Sequence, residues 1–252
     1  MGTELSIIAS AYNEDASLEE LHRRLTSVVA DHAYELILVN DGSTDGTVPL
    51  LNALAHHDPR LRVIHFAQHR GKTTALAVAF ALADGAAAIT LDADLQDLPE
   101  NIPLLLHRLT ADCAMVIGVR RNRQEGFLRI LASRCFNLLC STAFRYPFHD
   151  INSGLKAFTR RCYQTLQPHL QGERHRLIPL LAIRQGFRVA EVTVPHARRK
   201  HGTTKYPLLR WRGLCDVLLL LSPRTSLPPQ PDYRLATVRK AQGISLVNFP
   251  VS

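Results

Sequence analysis

Strand-length apolar runs alternate with helix-length segments through the first half of this chain, and no other feature limits its fold as strongly. Leu5–Ser10, Glu35–Asn40, Leu61–Phe66, Ala87–Leu91 and Ala114–Val119 read as strands. Between them Ala16–Ala30, Thr47–His57, Lys72–Asp84 and Pro99–Thr110 carry leucines and alanines at helical spacing. Strands that are apolar on both faces must be covered on both faces, which implies a parallel sheet between helical layers. The expected class is α/β, a doubly wound, nucleotide-binding-like fold. At 252 residues and 46% hydrophobic, the chain is large enough to bury one such core.

In sheets of this kind ligands sit outside the carboxyl ends of the strands. The residues at those ends are Tyr12-Asn13-Glu14, Asp41-Gly42-Ser43, Arg70-Gly71-Lys72 and Asp92-Ala93-Asp94. Polar and charged groups are thus expected to converge from four strands. In Asp92-Ala93-Asp94, side chains two apart on an extended segment point the same way, so both carboxylates are expected to face one hard cation, Mg²⁺ or Mn²⁺. Gln96 adds a neutral oxygen two residues on. Asp41-Gly42-Ser43-Thr44-Asp45-Gly46 suits a tight turn and a helix cap, and Asp41 can also accept N–H groups of a base. A plain strand–turn–helix connection explains the same residues.

Charge is unevenly shared. Residues 1–110 carry 7 Lys/Arg against 15 Asp/Glu, and residues 111–252 carry 23 against 7. An acidic part that holds a cation and a basic part that holds anions fit this division. Arg120 follows the fifth strand, and Arg129, Ser133 and Asn137 recur every four residues on one helical face suited to a phosphate. The densest basic run is Arg198-Arg199-Lys200-His201-Gly202-Thr203-Thr204-Lys205-Tyr206, and no acid occurs between Glu191 and Asp216. Such a run attracts phosphates of nucleotides, nucleic acids or anionic membranes. Nucleic acid is disfavoured, because only 6% of residues are aromatic and no recognised binding motif is present.

Several other classes fall away. Arg70-Gly71-Lys72-Thr73 imitates the end of a phosphate-binding loop, but that pattern needs glycine at position 66, which is Phe66. Five cysteines without a CxxC pair indicate neither a disulfide framework nor a zinc ribbon and fit a reducing cytosol. Twelve histidines show no metal spacing. Thr73–Leu91 is interrupted by Asp84 and Gly85, and Val217–Leu221 is too short to cross a bilayer. No signal-peptide pattern opens the chain.

Four segments together carry a family resemblance. They are Leu5-Ser6-Ile7-Ile8-Ala9-Ser10-Ala11-Tyr12-Asn13-Glu14, Val39-Asn40-Asp41-Gly42-Ser43-Thr44-Asp45-Gly46-Thr47, Asp92-Ala93-Asp94-Leu95-Gln96-Asp97-Leu98-Pro99-Glu100 and Arg199-Lys200-His201-Gly202-Thr203-Thr204-Lys205-Tyr206. In this order they resemble the family-two glycosyltransferases, in the dolichyl-phosphate mannose synthase and polyprenyl-phosphate glycosyltransferase branch. The resemblance implies a GT-A fold, three-layered with a mostly parallel central sheet. The implied reaction moves a sugar from a nucleotide diphosphate sugar to a dolichyl or undecaprenyl type of polyprenyl phosphate, inverting the anomeric carbon. It further implies that Ser10, Tyr12, Glu14, Val39, Asp41 and Ala93 surround the nucleotide sugar. Asp92, Asp94 and Gln96 would hold a divalent metal and the diphosphate. Arg120 would approach the donor, Arg129 and Ser133 would take the acceptor phosphate, and Arg199 and Lys205 would close over the diphosphate.

Residues 1–212 are accordingly expected to form the GT-A domain, and 213–252 a Pro-rich tail without a transmembrane span. The pair of C-terminal membrane helices common in bacterial relatives is not expected. The implied location is the cytosolic face of a membrane, with peripheral contact to anionic lipid and a membrane-anchoring partner protein. Two rival readings stand beside this one. One is a transferase acting on a saccharide or protein hydroxyl, for which Asp150 is the candidate base. The other is a non-catalytic basic scaffold that keeps the fold.

Overall fold

The computed structural model describes residues 2–121, 127–197, 236–240 and 243–247, with the backbone alone for 127–132 and for the last two stretches. Its first half alternates as the apolar pattern requires: β1 (Leu5–Ala11), α1 (Asp15–Val28), β2 (Tyr34–Asn40), α2 (Thr47–His57), β3 (Leu61–Phe66), α3 (Lys72–Leu82) and β4 (Ala87–Asp92). There follow α4 (Ile102–Arg108), β5 (Met115–Arg121), α5 (Phe127–Phe144), β6 (Lys156–Thr159), α6 (Arg160–Leu166), α7 (Ile178–Arg184) and β7 (Val189–Pro195). Two further strands, β8 (Ala236–Lys240) and β9 (Gly243–Val247), complete the described part.

The strands form one sheet in the order β7-β5-β6-β4-β1-β2-β3-β8-β9. β1 to β4 are mutually parallel, and β7 is parallel to β5. β6 runs antiparallel between β4 and β5. The chain steps outward from β1 through β2 to β3, then returns to place β4 on the other side of β1. That reversal is a topological switch point, where the loops following β1 and β4 part and leave a crevice.

Alternate side chains of each strand feed opposite layers. From β1, Ile8 packs with Ile37, Val39, Phe80 and Tyr163 beneath α3, α6 and α7. Ile7, Ala9 and Ala11 pack on the other face with Leu18, Leu21 and Leu25 of α1 and Leu51 of α2. The apolar run Thr73–Leu91 is resolved as a helix, a turn and a strand. Because α3 is enclosed on nearly all sides, Thr73 and Ala75 through Phe80 are all buried. No described helix is long and apolar enough to cross a membrane.

Within 213–252, expected as a Pro-rich tail without a transmembrane span, two strands are described. β8 pairs antiparallel with the edge of β3, and β9 pairs with β8. A β8–β9 hairpin joins its two strands by a short turn, so it leaves no strand–helix rhythm in the sequence.

Candidate active site

The carboxyl ends of β1, β2 and β4 lie level. Ser10 is in register with Val39 on one side and Asp92 on the other. Beyond these ends the loops are tied together by side chains. Asn13, at φ +53°, accepts the Thr44 N–H through its side-chain oxygen at 2.8 Å, while its own N–H donates to the Ser43 hydroxyl at 2.9 Å. The Glu14 N–H donates to the Thr47 hydroxyl at 3.1 Å.

Asp41 is buried and fastens a third loop. Its Oδ1 accepts the Arg70 N–H at 2.6 Å, and its Oδ2 accepts the Gly71 N–H at 2.9 Å and lies 3.0 Å from His69 Nδ1. Burial pushes this carboxyl up, with the Arg70 N–H, His69 and the Gly71 N–H pulling the other way. Gly42, at φ +71°, has no room for a side chain, because a Cβ would lie 2.4 Å from the Gln68 carbonyl carbon. The His69 ring stacks on Tyr12 with centroids 4.4 Å apart. Ser10, Tyr12, Glu14 and Asp41 therefore lie at one end of the sheet. Val39 does not join them by its side chain, which is fully buried in the core under α3. Its side chain is packing, and its strand delivers Asp41.

At the end of β4 the chain leaves the extended form. Asp92 closes the strand, but Ala93 and Asp94 are in a turn, so the strand argument for parallel carboxylates stops at Asp92. Asp94 is buried, with Oδ1 accepting the Gln96 N–H at 3.1 Å. Ala93 is held from below, its carbonyl accepting the Ser17 hydroxyl at 2.8 Å. Asp97 is buried as well, with Oδ2 3.4 Å from the Asp92 N–H. Burial and the nearby charges of Asp92 and Asp94 push the Asp97 carboxyl up to about 7, against the pull of Arg120 and Lys72. Gly154 touches the same cluster: a Cβ there would sit 2.4 Å from Asp97 Oδ2 and 2.9 Å from Asp92 Oδ2.

Among the described residues, Lys72, Lys156 and Arg120 carry positive charge toward these acids. Lys72 Nζ is ion-paired with Asp92 Oδ1. Burial works against ionisation of Asp92, but Lys72, Lys156 and Arg120 outweigh it and hold the carboxyl below its ordinary range. Lys156 is buried, with its ammonium on the Ser153 carbonyl. Burial and Lys72 bring its pKa down to about 7, against Asp150, Asp92 and Asp97. Arg120 donates from Nε to Asp150 Oδ2 at 2.7 Å and from Nη2 to Asp150 Oδ1 at 3.0 Å. That pairing aims the guanidinium at a buried carboxylate of its own chain. Asn137 donates to the His149 carbonyl at 2.5 Å and so secures the loop that carries Asp150.

Among the described residues no group of three or more His, Cys, Asp or Glu side chains converges as a metal cage. Asp92 and Asp94 nonetheless fit a divalent ion of the Mg²⁺ type, which takes one or two carboxylates and completes its shell with water and substrate phosphates. Gln96 contributes backbone contacts: its N–H to Asp94 and its carbonyl to the Ala197 N–H at 3.0 Å.

Ser133 is half-buried on α5, and the side chain of Arg129 lies outside the described residues. Arg199 and Lys205 also lie outside them. The described chain reaches Ala197, whose N–H donates to the Gln96 carbonyl at 3.0 Å. Lys72 was expected at this edge without a role, whereas Asp97, Gly154 and Lys156 were not singled out as parts of this site. A lysine inside the apolar stretch Leu155–Phe158 is the one signal that pointed to a buried charge.

The model of the family described as Glycosyl transferase family 2 matches residues 6–169. An undecaprenyl-phosphate 4-deoxy-4-formamido-L-arabinose transferase of Yersinia pestis (strain Pestoides F) is 37% identical over 253 residues, covering 99% of this chain and 74% of that one. Among solved structures, a glucosyl-3-phosphoglycerate synthase from Mycobacterium tuberculosis in complex with Mn²⁺, UDP-glucose and phosphoglyceric acid superposes with a TM-score of 0.67 at 22% identity, over 100% of this chain and 88% of that one. The mannosyltransferase PcManGT from Pyrobaculum calidifontis, in complex with GDP-Man and Mn²⁺, gives 0.60 at 22% identity, over 80% and 59%. The fold is thus of the GT-A glycosyltransferase type. The chain belongs to glycosyl transferase family 2.

Proposed function

We propose that this protein transfers a sugar from a nucleotide diphosphate sugar to a polyprenyl phosphate of the undecaprenyl type, with inversion at the anomeric carbon and with help from Mg²⁺ or Mn²⁺. The observation that carries the choice of acceptor is the state of Asp150. Transfer to a hydroxyl needs a base to take its proton, and Asp150 is buried and bonded to Arg120 through both oxygens. A phosphate monoester is already anionic at neutral pH and needs no base. The Yersinia relative is named for an undecaprenyl-phosphate acceptor, and the two solved neighbours are titled as complexes of nucleotide sugars with Mn²⁺.

In this reading Tyr12, Asp41 and the loops they brace receive the nucleotide, and Asp92 and Asp94 hold the divalent ion. When bound, that ion supplies charge neutralisation for the departing diphosphate. An oxygen of the lipid phosphate forms a bond to the anomeric carbon as the bond from that carbon to the diphosphate breaks. The electron pair leaves with the nucleoside diphosphate, and no proton changes hands. Arg129 and Ser133 on α5 would position the acceptor phosphate, while Arg199 and Lys205 would screen the leaving group.

Peripheral attachment to the cytosolic face of a membrane is part of the proposal. Leu138 and Leu139 of α5 are 68% and 44% exposed, with Arg134 exposed beside them, a mixture suited to an anionic lipid surface. The test is a screen of nucleotide sugars against a short-chain prenyl phosphate and Mn²⁺, with the anomeric configuration of the product read by NMR. A lipid-linked sugar phosphate with inverted configuration is expected. Retention, or no transfer from any donor, would overturn the reading.

A further inference from the structure

Gly71-Lys72-Thr73 is not a complete phosphate loop, yet its lysine stands on the acid cluster. Lys72 opens α3, and its backbone is pinned on both sides. The Gly71 N–H is bonded to Asp41, and the Thr73 hydroxyl is bonded to His175 Nδ1 at 2.8 Å. Burial, together with Lys72, Arg176 and Lys156, holds His175 well below its ordinary range, so the ring is neutral, and its Nδ1 shares one hydrogen bond with the Thr73 hydroxyl. Position 72 is therefore fixed, and only its four-carbon stem can swing.

The ammonium of Lys72 is paired with Asp92 Oδ1, an oxygen that the proposed cation would also need. The Asp92 side chain is 41% exposed and open to ligand, whereas Asp97 behind it is buried. A divalent ion arriving alone at Asp92 meets a positive charge already on the carboxylate. Two like charges can share that corner only if an anion comes between them or the ammonium moves away. The diphosphate of a nucleotide sugar is an anion of the right kind.

We propose that Lys72 is a diphosphate-binding residue that occupies Asp92 in the absence of donor and passes its ammonium to a diphosphate oxygen when metal and nucleotide enter together. This rests on the reading of Asp92 and Asp94 as the cation site for a nucleotide diphosphate sugar. Lys72 then couples the two ligands. Metal alone binds weakly, because evicting the ammonium gives it no new partner. Metal and diphosphate bind cooperatively, because each provides what the other displaces.

The experiment titrates Mn²⁺ into wild type, Lys72→Met and Lys72→Arg, with and without inorganic pyrophosphate, by calorimetry and by the loss of the free-ion electron paramagnetic resonance signal. Lys72→Gln replaces the methionine variant if that one does not fold. Lys72→Met should bind Mn²⁺ alone about tenfold more tightly than wild type and lose about tenfold of the enhancement that pyrophosphate brings, a range typical of coupled sites. Lys72→Arg should retain the coupling. Unchanged or weaker Mn²⁺ binding by Lys72→Met, or an undiminished effect of pyrophosphate, would overturn the role of Lys72 while leaving the metal site in place. Failure of wild type to bind Mn²⁺ even with pyrophosphate would overturn the metal site and this proposal together.

Discussion

Arg120 grips Asp150 with two N–H groups, Nε to Oδ2 at 2.7 Å and Nη2 to Oδ1 at 3.0 Å. The pair joins the end of β5 to the loop before β6.

Asp150→Ala leaves the Arg120 guanidinium without its partner in a largely buried place. Loss of one member of a buried pair costs about 3–5 kcal/mol, so thermal unfolding should shift down by many degrees. Arg120→Met should cost a similar amount for the mirror reason. If Asp150 instead served as a base, Asp150→Ala would cut kcat with little change in unfolding temperature, and wild type would show an acid limb in its pH–kcat profile.

Gly154→Ala tests whether the acid cluster depends on a missing side chain. The added methyl would lie 2.4 Å from Asp97 Oδ2 and 2.9 Å from Asp92 Oδ2, so both carboxylates must shift. Overpacking of this sort costs about 1–3 kcal/mol. Activity should fall by a larger factor than stability does, read as kcat beside the unfolding temperature. Unaltered turnover would show that the cluster tolerates displacement.

Gly42→Ala should weaken donor binding. Its φ of +71° already disfavours alanine, and the new Cβ would press on the Gln68 and His69 backbone, prying their loop from Asp41. A higher KM for the nucleotide sugar with a smaller change in kcat is expected from steady-state kinetics.

Lys156 gives a pH signature. Its folded pKa is about 7, below the ordinary lysine value of 10.5. Between those values the unfolded chain binds the proton and the folded chain does not, so stability from this group rises with pH. Wild type should therefore gain stability relative to Lys156→Met as pH goes from about 7 to about 10, measured by denaturant unfolding at a series of pH values. A difference that is flat over that window contradicts the downward shift that burial gives this amine.

The parallel core was legible because β1 to β4 are covered on both faces, and full burial writes itself as unbroken apolar runs. The candidate loops were legible for a topological reason: once the strands are parallel, Tyr12, Asp41 and Asp92 must share an edge. What local pattern could not carry is partner choice. β6 is only four residues long and contains Lys156, so neither its strand character nor its antiparallel place between β4 and β5 is visible in periodicity. The Arg120–Asp150 and Lys72–Asp92 pairs join residues 30 and 20 positions apart, and sequence separation says nothing about which charges meet. Burial of the Val39 side chain under α3 was not legible either, because motif position alone does not tell a strand side chain that faces the core from one that faces a loop.

In the proposed reaction an anionic lipid phosphate attacks a sugar whose diphosphate is held at Asp92 and Asp94. The most direct measurement compares a prenyl phosphate with the matching prenol as acceptors, for wild type and Asp94→Ala, at saturating Mn²⁺ and nucleotide sugar. Transfer to the phosphate alone is expected, with loss of that transfer in Asp94→Ala. Comparable transfer to the prenol, or full activity in Asp94→Ala, would contradict it.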